Sequence, residues 1–513
     1  MTPMELLILA VPETLVVATA FIVLLVDMME MRRKPVRARM LVAAVISCVG
    51  CLVSIYWLSQ TGVPTTPPDG MLIVNPVTQM VKQLILLLTI FTALISIESN
   101  FTDHVGEYFL LLLLATVGMM FLVSSENVLM IFVALELLSL SLYIMTAFNK
   151  QNIKSAEAAL KYFLFGGMSA AVMLFGLSLI YGLSGEIVLP RIADKLKGQP
   201  LDPLLMVAMV MVVTGFGFKI AAVPFHLWTP DAYQGAPTPS AAFIASGSKV
   251  ASFFILAKVM MVGFAGVEGS GVWRNFSEGW VPVLAIMAVL SMVLGNLAAI
   301  AQRSVRRLLA YSAIAHAGYM LLGVISLGIL KEAASGPDVA ASMTAVKQNG
   351  MASLLYYVAT YALTTIGAFG VVSVVQERSG EERFPAFAGL SRRAPVLSFC
   401  MMIFMLSLAG IPPLAGFFGK FYLFAAALSS AKSLGLLWLI VFAILMSAVS
   451  LYYYLQVLKQ IYVAPPPAGV STLQFNLLSR VAILLLALAV LVLGCAPNLV
   501  LSRILAAVKT ASL

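Results

Sequence analysis

The sequence predicts an all-α, polytopic membrane protein of about fourteen transmembrane helices. Of its 513 residues, 61% are hydrophobic and only 10% are charged, which is more apolar surface than a soluble core of this size buries. A span needs about 20 apolar residues. The polar breaks delimit candidate spans, numbered here in chain order, near residues 4–28, 40–59, 75–96, 107–124, 126–147, 157–183, 201–222, 238–262, 277–300, 307–329, 350–376, 395–429, 433–461 and 475–496.

The first span begins with acidic rather than basic residues, Glu5 and Glu13, so we expect a retained helix and not a cleaved signal peptide. The next two spans follow without a distinctive pattern. The cysteines all fall in predicted spans and are expected to pack as small apolar residues; they are Cys48, Cys51, Cys400 and Cys495.

The loops predict the orientation of the chain. The net charge is +9, but the basic residues are scattered over short loops, which argues against a nucleic-acid partner. Basic clusters follow spans 1, 5, 9 and 11, within residues 32–39, 150–154, 303–307 and 392–393. The positive-inside rule places these loops in the cytoplasm and both termini on the other side of a bacterial inner membrane. Residues 186–199 carry bases on the outer side and predict a short amphipathic interfacial helix.

Two spans are interrupted by proline and glycine. The first break runs from Lys219 to Pro239, and the second is LAGIPPLAGFFGKF at 408–421. Interrupted helices persist in a membrane only where they are buried in protein or line a wet cavity, and a pair of them points to a transport site. The spacing predicts two inverted five-helix repeats, 101–270 and 271–465, preceded by a three-helix segment, 1–100, and followed by a helix and tail, 466–513.

Charged side chains inside spans are the candidate functional residues, because each costs about 2.5–3.5 kcal/mol to insert. Glu136 lies too deep to reach the interface, and Lys219 is its natural partner. Making or breaking this pair would load or release a proton; the alternative is a static ion pair. Lys249 and Lys420 are candidate proton carriers, because a buried lysine can lose its proton whereas arginine cannot. Their alternative is a packing lysine that reaches a helix terminus.

Four further residues are weighed as secondary. His226 and His316 are candidate relays because imidazole titrates near neutral pH, with a hydrogen-bonded packing histidine as the alternative. Lys161 is either a relay or a side chain that reaches the headgroups, and Lys258 is expected to reach the headgroups. The sequence contains no phosphate loop, Rossmann fingerprint or iron–sulfur cysteine run, so we expect no cofactor or metal bound to this chain.

The segment GFGFKIAAVPFHLWTPDAYQGAPTPSAAFIASGSK, residues 215–249, resembles the antiporter-like subunit N family of NADH:quinone oxidoreductase, respiratory complex I. ALELLSLSLY around Glu136, EAALKYFLFGG around Lys161, RRLLAYSAIAHAGY at 306–319 and GIPPLAGFFGKFY near Lys420 are similar to the same family. Lys420 stands where the sister subunit M has a glutamate, and the long lateral helix of subunit L is not seen.

The resemblance implies a proton-pump module in which Glu136 and Lys219 are the modulating pair, Lys249 is the central relay and Lys420 is the terminal site. It implies sister antiporter-like subunits as partners, and NADH, FMN, iron–sulfur clusters and quinone in other subunits. A subunit of a multi-subunit cation/proton antiporter and a non-transporting scaffold are the alternatives. The cost of the buried charges argues against the scaffold.

Overall fold

The computed structural model describes residues 7–60, 65, 67, 69–197, 202–273, 275–328, 337–430, 435–466 and 476–511. Within these ranges the fold is all-α except for a short antiparallel pair, β1 (Ser270–Val272) and β2 (Asn275–Ser277). Thirteen described helices are long and apolar enough to cross a membrane. The prediction of an all-α polytopic membrane protein is confirmed. The chain ends and the predicted starts of spans 1, 13 and 14 lie outside the described residues.

The first eight helices follow the predicted order. They are α1 (Val11–Val26, continued as a π-helix to Met31), α2 (Val36–Gln60), α3 (Pro76–Ser96), α4 (Val105–Ser124), α5 (Val128–Thr146), α6 (Ile153–Ser184), α7 (Leu189–Leu196) and α8 (Pro203–Ile220). Several begin at a polar cap, as where Asn75 and Thr78 form a reciprocal capping box and Asn127 accepts from the first turn of α5. The prediction of a short amphipathic helix within 186–199 is confirmed by α7, whose buried residues are Leu189, Ile192 and Leu196.

The two predicted breaks are confirmed. The first break, between spans 7 and 8, contains the end of α8 and the short helix α9 (Trp228–Gly235). The second break divides span 12 into α16 (Pro395–Ala409) and α17 (Ala415–Ser429). The helix before each break ends in a left-handed residue, Ala221 with φ 60° and Gly410 with φ 88°. Because α16 and α17 are each too short to span alone, together they complete the fourteenth crossing.

Span 8 is also interrupted, which the sequence analysis did not predict. It consists of α10 (Thr238–Ala245) and α11 (Gly247–Lys258), which meet at Ser246 and continue as a π-helix to Gly263. Ser246, Gly247 and Ser248, at and after this junction, lower helix propensity. The junction lies three residues before Lys249, and every residue of α10 and α11 is buried.

The remaining helices are α12 (Trp280–Ile300), α13 (Val305–Ser326), α14 (Pro337–Ser379), α15 (Leu390–Arg393), α18 (Leu437–Tyr462), α19 (Leu477–Cys495) and α20 (Asn498–Thr510). Two predicted segments contain more helix than expected. The 43-residue α14 begins well before residue 350, and the predicted tail contains α20. Helices α10, α11, α13 and α14 form the buried centre, whereas α1, α2, α6 and α18 expose much of their apolar surface.

Candidate functional site

Lys219 lies in the last turn of α8, directly before the first break, and its residue is 8% exposed. Its ammonium donates to Ser139 Oγ on α5. The rings of Tyr143 and Phe218 lie 5.3 and 5.5 Å from Nζ, close enough for cation–π attraction. The cation near the carbonyl end of α8 is also favoured by the helix dipole.

Glu136 does not form the predicted ion pair with Lys219: the described residues contain no such contact within 4 Å. Glu136 is half-buried and lies beside the exposed stripe of α5 that includes Val133 and Leu140, at 59% and 48% exposure. The hydroxyl that receives Lys219 belongs to Ser139, three residues further along the helix. The sequence of α5 carried a signal that the analysis did not use, because Ser139, Tyr143 and Thr146 recur at spacings of four and three residues and are all buried.

Lys249 is 2% exposed and lies in the first turn of α11. Its Nζ donates to Ala313 O of α13 at 2.5 Å and lies 5.8 Å from the centre of the Tyr361 ring on α14. The lysine therefore joins the last span of the first predicted repeat to two helices of the second. Its partner is a carbonyl, so the described contacts give this ammonium no counter-charge.

His316, 2% exposed, is the centre of a hydroxyl network. Its Nδ1 lies 2.7 Å from Tyr357 Oη, and its Nε2 lies 3.2 Å from Tyr454 Oη. Tyr454 Oη is also 2.5 Å from Ser312 Oγ, in the residue before Ala313. The Tyr319 ring lies 5.6 Å from the His316 ring and 5.1 Å from Lys420 Nζ, so the network extends towards the second break.

Lys420, 5% exposed, closes the second break. Its Nζ donates to Leu408 O and Ala409 O at 3.1 Å each, and to Ser447 Oγ at 2.8 Å. These carbonyls belong to the end of α16, where a cation is favoured. This contact is the one expected for the alternative role of Lys420, a packing lysine that reaches a helix terminus.

Together these contacts form a polar line through the centre of the membrane. It runs from Lys249 to Ala313 O, past the neighbouring Ser312 to Tyr454, and on to His316. The Tyr319 ring then lies between His316 and Lys420. Hydroxyl and imidazole groups both donate and accept, so each of the central members can pass a proton. Lys219 with Ser139 lies in the first half of the chain, and no described hydrogen bond joins it directly to Lys249.

Two of the secondary candidates lie outside this line. Lys161 lies in the first half of α6, where its Nζ contacts Glu157 at 2.6 Å and Asp231 at 2.8 Å with 40% of the side chain exposed. His226 is 6% exposed in the first break, and its Nδ1 has no hydrogen-bond partner among the described residues. Neither contacts a buried lysine through a described hydrogen bond or ion pair.

The expectation that Lys258 reaches the headgroups is wrong. Its side chain is fully buried and pairs with Glu126 at 3.0 Å, because the start of α5 supplies a carboxylate at the same depth. A second buried pair, Lys82 with Glu13 at 2.6 Å, was not anticipated. The sequence contained a signal for this pair, because Lys82 lies early in span 3 and Glu13 lies early in span 1.

The sequence analysis also missed the hydroxyls of the central line. Tyr357 and Tyr361 recur at a spacing of four residues on α14, as do Ser312 and His316 on α13. Polar residues at helical spacing on an otherwise apolar span indicate an inward face, so this pattern carried the missing information.

Comparisons with known proteins agree with this architecture. The family model described as "NADH:quinone oxidoreductase/Mrp antiporter, TM" matches residues 125–336 and 339–448. NADH-quinone oxidoreductase subunit N 2 of Acidobacterium capsulatum is 52% identical over 504 residues, covering 96% of this chain and 97% of that protein. Subunit N of Moorella thermoacetica is 39% identical, covering 84% of each chain.

Solved structures show the same fold. A chain of respiratory complex I from Thermus thermophilus has a TM-score of 0.75 at 32% identity, covering 96% of this chain and 98% of that one. A chain of the Mrp complex from Dietzia has a TM-score of 0.79 at 18% identity, covering 98% and 97%, and shares the fold alone. The protein is therefore an antiporter-like membrane protein that belongs to the NADH-quinone oxidoreductase subunit N family.

Proposed function

We propose that this chain translocates protons as a membrane-arm subunit of NADH:quinone oxidoreductase, coupled to quinone reduction elsewhere in the complex. The observation that carries the proposal is the polar line from Lys249 through His316 to Lys420. Buried lysines cost several kcal/mol each, and a scaffold gains nothing from them. Their partners are serine hydroxyls and backbone carbonyls, which stabilise the ammonium without fixing it in an ion pair.

In the proposed cycle, a proton bound at Lys249 moves along the Ser312, Tyr454 and His316 groups to Lys420. His316 accepts at one ring nitrogen and donates from the other, so each passage exchanges its tautomer. Lys420 then releases the proton to the outer side, helped by Ser447. Glu136 lies at the half-buried surface of α5 and acts on Lys219 through space rather than by direct contact. In the assembled complex, a neighbouring subunit covers the exposed part of Glu136.

We expect the sister antiporter-like subunits to be the neighbours, and NADH, FMN, iron–sulfur clusters and quinone to bind to other subunits. We also propose that both termini lie on the outer side of a bacterial inner membrane, and the distribution of basic residues over the loops supports this orientation. The inverted repeats remain part of the proposal, with the two left-handed helix ends at Ala221 and Gly410 in support.

A cation/proton antiporter is the second candidate. Sodium prefers several hard oxygen ligands. No group of three or more His, Cys, Asp or Glu side chains suited to a metal occurs in the described ranges. Protons are therefore the better substrate for this site.

The test is to purify the complex through a tag on this chain and to assay Lys249→Met in vesicles. We expect copurification of NADH-oxidising and quinone-reducing subunits, and loss of proton uptake in the variant at matched complex content. Sodium-dependent transport by a complex without redox subunits would refute the proposal in favour of the antiporter.

A further inference from the structure

Two cavities open at the inner end of the molecule, where helices of the two predicted repeats meet. Their volumes are about 280 and 330 Å³, and Asn152, Arg306, Gln376 and Gly380 line both. All four residues belong to loops or helix ends that follow odd-numbered spans or begin even-numbered ones, so the cavities face the inner side. A cavity with this polar lining and size holds several waters.

The floor of the cavities is held by Arg306 and Gln376. Arg306, 2% exposed, donates from Nε to Tyr233 O at 2.8 Å and from Nη2 to Ala236 O, at the end of α9. Its Nη1 donates to Gln376 Oε1 at 3.1 Å, and Thr238 Oγ1 donates to the same oxygen at 2.8 Å. Helices α9, α10, α13 and α14 therefore meet at a fixed polar ring.

Beneath this ring, one face of α14 leads to Lys249. Gln376, Ser373, Phe369, Thr365 and Tyr361 follow at spacings of three or four residues and so lie on the same face. The 15 residues from Gln376 to Tyr361 cover about 22 Å along the axis. The Tyr361 ring is the one that lies 5.8 Å from Lys249 Nζ.

Three buried hydroxyls on or near this face make no well-formed hydrogen bond in the described part of the chain, although two of them lie near the hydroxyls of Tyr108 and Tyr361. They are Ser240 Oγ, Tyr233 Oη and Thr365 Oγ1. Buried polar groups in folded proteins are nearly always hydrogen-bonded, so such groups indicate water positions. They continue the wet region from the cavities towards Lys249.

The line is interrupted at one level by two aromatic rings. Tyr233, fully buried, packs edge-to-face on Phe369 with centroids 5.8 Å apart. Phe369 separates Ser373, which lines a cavity, from the buried Thr365. Apolar constrictions of this kind close water paths by excluding water, and open when a ring moves.

We propose that Tyr233 and Phe369 form a gate that closes a water path from the inner cavities to Lys249. The gate supplies protons to the central line from the inner side and keeps that side shut while the outer side is open. Arg306 positions it, because the guanidinium that holds Gln376 also holds the backbone of Tyr233. The inference rests on the proposed proton-translocating function.

The experiment labels a cysteine placed just behind the gate. In inside-out vesicles holding the assembled complex, Thr365→Cys is exposed to methanethiosulfonate ethylammonium from the inner face. Modification is measured by mass spectrometry of the 348–378 peptide, which has no native cysteine. The matched control is Phe404→Ala, because Phe404 is an equally buried ring that packs on Gly367, on the opposite face of α14.

We expect slow labelling of Thr365→Cys, unchanged labelling with Phe404→Ala, and labelling faster by about tenfold with Phe369→Ala, since an aromatic contact is lost. Equal rates in the two double variants, or complete protection in both, would overturn the gate. If Phe369→Ala does not assemble, Phe369→Trp should slow labelling, and faster labelling would reject the gate. Lys249→Met assayed in parallel separates the two proposals. If it abolishes pumping while Phe369→Ala leaves the labelling rate of Thr365→Cys unchanged, the gate is rejected and the proposed function is retained.

Discussion

Replacing Tyr454 with phenylalanine removes one oxygen atom from the middle of the polar line. That oxygen lies 2.5 Å from Ser312 Oγ and 3.2 Å from His316 Nε2. Phenylalanine preserves the ring packing, so the change interrupts the line without emptying the core. Each of the two buried groups left without its partner costs about 1–3 kcal/mol.

We expect Tyr454→Phe to slow proton pumping by about 10²-fold, the lower range for loss of a positioned proton-transfer group. Quinone reduction should fall with it, because a coupled enzyme stops when one step is blocked. The control is Tyr356→Phe, which removes the hydroxyl of an equally buried residue, bonded among the described residues to Leu493 O alone at 2.7 Å. The assay is NADH-driven acidification of vesicles at matched complex content. Equal losses in the two variants would show that the hydroxyl of Tyr454 serves stability alone.

Substitutions at two other lysines test further parts of the account. One distinguishes a positive charge from a transferable proton, and the other tests a structural ion pair. Lys219→Arg keeps a cation beside Ser139 but cannot release a proton. Acidification should therefore fall nearly as far as with Lys219→Ala, while more complex assembles. Full pumping by the arginine form would remove Lys219 from the proton path. Lys258→Gln leaves Glu126 without its buried partner and should cost roughly 3–5 kcal/mol, seen as less assembled complex and a lower Tm. Glu107→Gln, which breaks a half-exposed contact with His104, should change the Tm little, and a similar fall in both would refute the assigned importance of burial.

The sequence predicted how deep each charged residue lies, but not which way it faces. Composition and span length place Glu136 and Lys219 at membrane depth. The rotation of α5 leaves Glu136 half-buried and turns Ser139 towards the lysine, and it depends on packing against neighbouring helices. Its mark in the sequence is the spacing of Ser139, Tyr143 and Thr146, which the sequence analysis did not use. The same limit explains Lys258, whose carboxylate partner is more than 130 positions away in the chain.

Both proline-rich breaks were predictable because proline and glycine act locally on the backbone. The interruption at Ser246 was missed because serine and glycine weaken a helix without requiring it to end. The hydroxyl network around His316 requires α13, α14 and α18 to be brought together. Contacts of that kind depend on the tertiary arrangement, although the spacing of the tyrosines indicated the inward face.

The central claim is that protons cross the membrane through Lys249, His316 and Lys420, and the number of protons moved per NADH oxidised by Lys420→Met tests it most directly. Methionine keeps the volume of the side chain and removes the ammonium that Leu408, Ala409 and Ser447 hold. In vesicles at matched complex content, the account predicts a lower ratio, or loss of both oxidation and pumping if coupling is strict. An unchanged ratio at an unchanged rate would contradict it and leave Lys420 as a cap on α16.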